Sequence, residues 1–282
     1  MTKVAACVAG LLLVAIAGAA CGDGGGAPSE PQDAASILGQ AHTAMSDLDS
    51  FRAVMTTEPG QGILDSTVEW QSPDSFHLVI RWQEQQEEAV GEIGLSEAIV
   101  IGDKGYSRQC KAEGEGCSEW TEYERGDTYL PAPTPWFDPR WPIVALALVV
   151  DSRVVGEEQI DGVSSTHIQG NLNRLRAMLQ ALEEGLRQRG VTAYGQECET
   201  EPGEPEECRD LPIEEFMESQ AEELQLGDEN PNPVDIWIGR DDKLLHRYTI
   251  GPIPGDAGAP GGTLTTVFTY SQFNKVEIQP PE

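Results

Sequence analysis

The chain has 282 residues, with 48 Asp and Glu against 18 Lys and Arg and a formal charge of −30 at pH 7. Such a surface repels nucleic acid and anionic headgroups alike, which excludes nucleic acid as a partner and makes most of the carboxylates a solvated coat rather than a cation site. With an N-terminal export segment set aside, about 260 residues remain, enough for one large or two small domains that each bury a core.

Residues 1–20 have the form of an export signal. Lys3 supplies the basic start, residues 4–17 an uncharged apolar run, and Gly18-Ala19-Ala20 the small side chains a signal peptidase needs before its cut. The run is shorter than the roughly 20 residues that span a bilayer, and the later apolar run at residues 143–150 is shorter still. Residues 21–32 are Gly-, Pro- and Ser-rich and acidic, and read as a flexible tether. A cysteine placed directly after the small residues, Cys21, resembles the lipobox of bacterial lipoproteins, with Gly18 where that motif usually has a large aliphatic residue. That resemblance implies a diacylglyceryl and palmitate-type modification of Cys21. It also implies a mature protein anchored at the extracytoplasmic face of a bacterial cell membrane.

Folding is expected to begin at Asp33, which can cap a helix whose apolar positions Ile37, Ala41, Ala44, Met45 and Leu48 recur at three- and four-residue steps. From Phe51 the period changes to two, the sign of strands in an antiparallel meander. In the segment 62–70, Leu64, Val68 and Trp70 share one face and Asp65, Thr67 and Glu69 the other. After the turn Ser72-Pro73-Asp74, the residues Phe76, Leu78, Ile80 and Trp82 alternate with His77, Val79, Arg81 and Gln83. Segments 89–95, which includes Ile93, and 98–101 continue the series as two strands, and Gly102-Asp103-Lys104-Gly105 turns the chain into Tyr106.

Residues 111–142 read as a loop-rich connection holding Trp120, Trp136 and Trp141, after which Pro142 opens a short buried helix over 143–150. A hairpin follows, with 154–159 and 163–170 joined at Asp161-Gly162, then a helix over 172–189 marked by Leu172, Leu175, Leu179, Leu182 and Leu186. Residues 190–212 form an acidic surface excursion, and 213–226 a further helix on Ile213, Phe216, Met217, Ala221 and Leu224. Strands return at the end. Val234, Ile236 and Ile238 alternate with Asp235 and Trp237; Leu244, His246, Tyr248 and Ile250 alternate next; segments 264–270 and 276–278 close the chain.

Apart from Cys7 in the signal and Cys21, four cysteines remain in two close pairs, Cys110 with Cys117 and Cys198 with Cys208. In an oxidising compartment the economical arrangement is one disulfide within each pair. Metal ligation is the alternative, but the spacings are not those of a zinc knuckle and no histidine lies near either pair. A nucleophilic hydrolase would need an activated serine, and no Gly-x-Ser-x-Gly, His-Glu-x-x-His, Walker loop or dinucleotide fingerprint occurs. His42 falls on a helix and His77, His167 and His246 on strands, where structural or surface roles are expected. The pairs Asp47/Asp49 and Asp241/Asp242 lack the spacing of a calcium loop and suit turns. The expectation is a non-enzyme with no cofactor and no metal.

The order of elements resembles the LolA-like lipoprotein-carrier superfamily, and most nearly the LppX/LprG type of lipid-binding lipoprotein. The residues that carry the resemblance are Ala41, Ala44, Met45, Leu48 and Ser50 at the first helix, Gly156 with Glu157, Glu158, Gln159, Ile160, Asp161, Gly162 and Val163 at the central hairpin, and Val234 to Leu244 near the end. Thr269, Tyr270, Ser271, Gln272, Phe273 and Asn274, with Val276, Glu277 and Ile278 before Pro280, fit that family's ending. The resemblance implies an α+β fold: a strongly curved antiparallel sheet, an unclosed half β-barrel, whose concave face is covered by helices. A single domain would then span 33–282, with an acidic helical insert at about 190–233. It further implies a carrier holding acyl chains between sheet and helices, with Leu64, Val68, Trp70, Phe76, Leu78, Ile80, Trp82, Ile93, Ile236 and Ile238 as lipid contacts. The partners so implied are a lipid or other amphiphile, the membrane through Cys21, and a protein of the cell envelope. Alternating strands beneath helices are equally the pattern of a filled core, which would suit a non-catalytic interaction or sensor module on the same fold.

Overall fold

The structure is a computed structural model that describes residues 33–57, 63–73, 75–86, 89–111, 116–124, 139–188, 193–199, 207–212, 215, 231–251 and 265–281. Helix α1 (Ala34–Ser46) starts where the sequence places it, because the Asp33 carboxylate accepts a hydrogen bond from the Ser36 backbone N–H at 2.6 Å and so satisfies a free donor of the first turn. Its buried residues Ala34, Ile37, Leu38, Ala41 and Met45 form one stripe.

Six strands follow, β1 (Ser50–Thr57), β2 (Ile63–Gln71), β3 (Ser75–Gln86), β4 (Ala89–Ile101), β5 (Lys104–Lys111) and β6 (Thr121–Glu124), each antiparallel to the one before. Helix α2 (Trp141–Ala145) begins with Pro142 in its first turn, runs on into a 3-10 turn at Leu146–Leu148, and is buried throughout. The hairpin β7 (Val150–Ile160) and β8 (Val163–Leu172) turns at Asp161 and Gly162, whose φ values of 50° and 85° place both central residues in the left-handed region that a tight two-residue hairpin requires. Helix α3 (Arg174–Gln188), the hairpin β9 (Ala193–Glu199) and β10 (Glu207–Pro212), and then β11 (Asn232–Gly239), β12 (Leu245–Ile250) and β13 (Thr266–Ser271) complete the described elements.

The described strands other than β9 and β10 form one antiparallel sheet in the order β6-β5-β4-β3-β2-β1-β13-β12-β11-β8-β7. The first meander and the last are joined by β1 against β13, from Arg52 opposite Ser271 to Thr57 opposite Thr266. The sheet does not close on itself, since β6 and β7 occupy its two ends. This is the expected α+β class, an open antiparallel sheet with helices on its apolar face.

Strand register explains how that face is continuous. Ala98, Leu78, Val68, Ala53 and Tyr270 stand opposite one another across β4, β3, β2, β1 and β13. Met55, Phe268, Tyr248, Ile236 and Ile168 do the same across β1, β13, β12, β11 and β8. All ten are buried. Onto the second row pack α1, α2 and α3. The Trp141 ring meets Tyr248 and Phe268 edge-on, with centroids at 5.7 and 5.3 Å, a favoured aromatic geometry.

Several sequence expectations are corrected. Segments 89–95 and 98–101 are one strand, β4, rather than two, and residues 121–124 add the unforeseen β6. Leu172 belongs to β8 and Val150 to β7, not to the neighbouring helices. The alternation expected from Leu244 starts instead at Leu245, the first residue of β12, which a register shift between Trp237 and Ile238 sets opposite Ile238. Residues 276–278 are not a strand. The Val276 N–H is bound by the Ser50 hydroxyl at 3.1 Å and the Ile278 N–H by the Gln71 side-chain carbonyl at 2.9 Å, so this tail is held by side chains instead of a ladder. The helix expected over 213–226 lies outside the described residues, Glu215 excepted.

A buried hydrogen bond of 2.9 Å from the Tyr270 hydroxyl to the Pro139 carbonyl ties β13 to the segment entering α2. Tyr270→Phe removes the donor and strands a buried carbonyl, which costs about 1–2 kcal/mol. Urea unfolding of the two proteins should show a lower midpoint for the variant with an unchanged slope.

Candidate functional site

The apolar face divides into two clusters. The larger contains residues of α1, α2 and α3 together with β1, β8, β11, β12 and β13. The smaller consists of Val68, Phe76, Leu78, Ala98 and Val100, with Ile80 half-buried beside it, and every one of these is a strand residue of β2, β3 or β4. The face thus continues beyond the strands whose side chains cluster with the helices.

The residues proposed as lipid contacts fall on both parts. Val68, Phe76, Leu78 and Ile80 are together in the smaller cluster. Ile236 and Ile238 are fully enclosed in the larger one, and Trp70 packs against it with its ring 5.2 Å from Phe51. Trp82 lies half-buried across Gly94 of β4, where a side chain on the glycine would overlap the indole; its Nε1–H donates to the Ser96 hydroxyl at 3.1 Å, which donates in turn to the Gln109 carbonyl at 2.9 Å. Leu64 and Ile93 lie on β2 and β4, and their side chains are outside the described residues.

Sequence reasoning missed the aromatic floor of the larger cluster. Trp141 falls in the segment expected to be loop-rich, yet it and Tyr248 are both 0% exposed and in ring contact. Arg174, at the start of α3, is also buried and brings its guanidinium carbon to 5.9 Å from the centre of the Trp141 ring. Burial pushes the Tyr248 phenol well above its ordinary pKa, while the positive Arg174 works in the other direction. The Tyr123 phenol on β6 is also raised by burial, with the Ser107 side chain working in the other direction. Tyr248 and Trp141 carry donors for which no partner exists among the described residues.

The opposite face is polar. His77 lies between Glu69 and Glu97, at 3.4 and 2.8 Å, and Arg108 reaches the other oxygen of Glu97 at 2.6 Å. His167 lies between Glu158 and Asp235, at 2.9 and 2.7 Å, and stacks on Trp237 with centroids 4.5 Å apart. His246 is held by Asp242 at 2.9 Å. Each strand histidine thus has at least one carboxylate partner that its spacing in sequence did not reveal. Open pockets of about 130 Å³ and 370 Å³ lie at Arg52, Glu69 and His77 and at Asp151, Arg153 and Asp235, and their charged linings do not suit an acyl chain.

A disulfide joins Cys110 of β5 to Cys117. Cys198 and Cys208 stand directly opposite in the β9–β10 pairing. Facing positions in an antiparallel pair are about 4.5–5.5 Å apart at Cα, within the span of a disulfide.

No protein-family model matches the sequence, and no curated protein matches it. Among solved structures, this chain is similar to the lipoprotein LppX of Mycobacterium tuberculosis, at 17% identity over 87% of this chain and 98% of that one, with a TM-score of 0.43. It is similar to LprF of Mycobacterium bovis at 16% identity over 88% and 96% of the two chains, with a TM-score of 0.49. A weaker likeness, at 11% identity over 85% and 56% and a TM-score of 0.27, is to MucB in complex with MucA(peri). LppX is of the type that the order of elements in the sequence resembles.

Peptide mapping of the exported protein without reduction should recover Cys198 linked to Cys208 as well as Cys110 linked to Cys117. The loop-entropy relation gives the Cys198–Cys208 link about 2–3 kcal/mol. Recovery of Cys198 and Cys208 as alkylatable thiols would contradict the second link, and zinc bound to them would favour metal ligation.

Proposed function

We propose that this protein is a lipid-anchored, extracytoplasmic carrier that binds an amphiphile against the apolar face of its sheet and catalyses no reaction. The reading rests on one observation above all: the apolar face extends past the helix-containing cluster into a buried patch that, among the described residues, is built from strand residues alone. Acyl chains laid along Val68, Phe76, Leu78 and Ile80, with Leu64, Trp70 and Trp82 around them, would continue the cover that α1, α2 and α3 begin over Ile236 and Ile238; Ile93, opposite Gln83 in the register, falls on the other face of β4 and is not among these contacts. Each methylene so buried contributes roughly 0.8 kcal/mol, so long chains bind tightly without a diagnostic polar residue. A single domain over 33–282, with residues of about 190–233 as an acidic insert, then hangs from the diacylglyceryl Cys21 by the tether 21–32 once residues 1–20 are removed. The location is the bacterial cell envelope, where a protein partner would receive or deliver the lipid.

The second reading is an interaction or sensor module with a filled interior. The close ring contacts among Trp141, Tyr248 and Phe268 beneath the helices favour it at that end of the sheet.

Native mass spectrometry of the full exported chain carrying Cys21→Ser separates the two. The carrier reading expects a copurifying lipid mass that organic extraction removes; a clean protein mass from lipid-replete cells would put the interaction module in front. In the same cells, radiolabelled palmitate should enter the wild-type protein and not Cys21→Ser, and equal labelling of both would overturn the anchor.

A further inference from the structure

Strand β7 is one end of the sheet, and among the described residues no strand pairs with its outer edge. The strand at the other end, β6, has 4 residues and β7 has 11, so β7 presents the longer row of unpaired backbone N–H and C=O groups. It carries no Lys or Pro, the residues that commonly blunt such an edge. Most of its charges are turned into its own sheet instead. Glu157 is bound by Arg240 at 2.7 Å, Glu158 by His167 and the Trp237 Nε1–H at 2.9 and 3.0 Å, and Arg153 donates to Gln169 at 3.0 Å. The exposed large apolar side chains among the described residues are Val150, Val154 and Val155, 44–54% exposed, and all three belong to this strand. A register shift between Val154 and Gly156 leaves Val155 without an opposite residue on β8.

Beside the valines, the open pocket of about 370 Å³ is lined by Asp151, Arg153, Gln169 and Asp235. Gln169 and His167 both bind Oδ1 of Asp235, at 2.8 and 2.7 Å, and its Oδ2 has no partner among the described residues. Asp151 has none there either. Two carboxylates against one guanidinium leave the pocket negative, on a chain whose formal charge is −30.

We propose that β7 is a docking edge for an extended segment of a partner protein that alternates aliphatic and basic residues. The segment adds a strand to the sheet, packs its aliphatic side chains on Val150, Val154 and Val155, and seats a Lys or Arg side chain against Asp151 at the pocket. Main-chain hydrogen bonds carry affinity in this mode of recognition, and alternate side chains carry specificity. A second copy of this chain fits less well, because it would bring another Asp151, Glu157 and Glu158 against the same edge. Strand β7 lies well away from β2 to β4 in the sheet order, so partner and lipid occupy separate surfaces and the docking edge does not depend on the carrier reading.

The test uses the full exported chain carrying Cys21→Ser, alone and with Asp151→Asn or Val155→Lys, and labelled peptides about ten residues long, which match the length of β7. One peptide alternates valine and lysine, a second has glutamate for lysine, and a third is the first with its backbone amides N-methylated, so that it cannot pair as a strand. Asparagine tolerates the φ of 52° at position 151, and Val155 is half-exposed, so both variants should keep the melting temperature of the parent. By fluorescence anisotropy the parent should bind the first peptide at least about tenfold more tightly than the other two, with slowed amide exchange in β7. Asp151→Asn should lose about threefold at low salt, the size of an exposed ion pair, and Val155→Lys about tenfold. Equal binding of the N-methylated peptide would reduce the contact to charge attraction and overturn the proposal. Failure of the first peptide to bind, or equal binding of it by parent and Val155→Lys, would overturn it too, and an unchanged affinity in Asp151→Asn would overturn the basic contact at the pocket. A parent that sediments as a dimer, with Val155→Lys a monomer, would assign the edge to a second copy and overturn the partner segment. Each of these failures leaves the carrier reading standing.

Discussion

The pairing of β1 with β13 makes a single apolar face out of two meanders that lie at opposite ends of the sequence. Without it, β1 to β6 and β11 to β13 would each expose one edge more and share no common surface. With it, the row from Ala98 to Tyr270 and the row from Met55 to Ile168 become neighbours, and both must be removed from water. Helix α1 leads directly into β1 but packs over β7 and β11 and against α2. Helices α2 and α3 flank the β7–β8 hairpin in sequence and pack on each other, with Trp141 of α2 set on Tyr248 and Phe268 of β12 and β13. Among the described residues no helix side chain joins the buried cluster on the face of β2 to β4, and the functional reading depends on that part of the face.

The other side of the sheet carries charge. Arg52, Glu69, His77, Glu97 and Arg108 form a chain of contacts from β1 to β5, and Glu158, His167, Asp235 and Trp237 another across β7, β8 and β11. Each half-exposed ion pair contributes little by itself. Their collective effect is to fix register, because a one-residue slip would bring these charges to the apolar face. The two faces therefore specify the same pairing from opposite sides.

Periodicity made much of this legible. Helix α1 with its Asp33 cap, the strict alternation in β3 and the Asp161-Gly162 hairpin follow from local rules, and the structure has all three. The failures have local causes as well. Ser96 and Glu97 interrupt the apolar run of β4, so the sequence reads as two strands, yet Ser96 is bound to Trp82 and Gln109 on one face and Glu97 to His77 and Arg108 on the other, and the ladder runs through. Strand β6 has only Tyr123 to mark it. Residues 276–278 alternate as a strand would, but Ser50 and Gln71 had taken the place of a partner strand. The cluster of Trp141, Arg174 and Tyr248 had no signal in sequence, because its members come from three elements brought together only by packing.

Photo-crosslinking shows whether acyl chains lie on the β2–β4 part of the apolar face. A palmitate analogue with a diazirine in mid-chain would be bound to the exported Cys21→Ser chain, irradiated, and its attachment sites read by peptide mass spectrometry. Adducts are expected to concentrate in peptides containing Val68, Phe76, Leu78 and Ile80 and to be competed away by unlabelled palmitate. Adducts confined to the exposed valines of β7, Val150, Val154 and Val155, or insensitive to competitor, would contradict it.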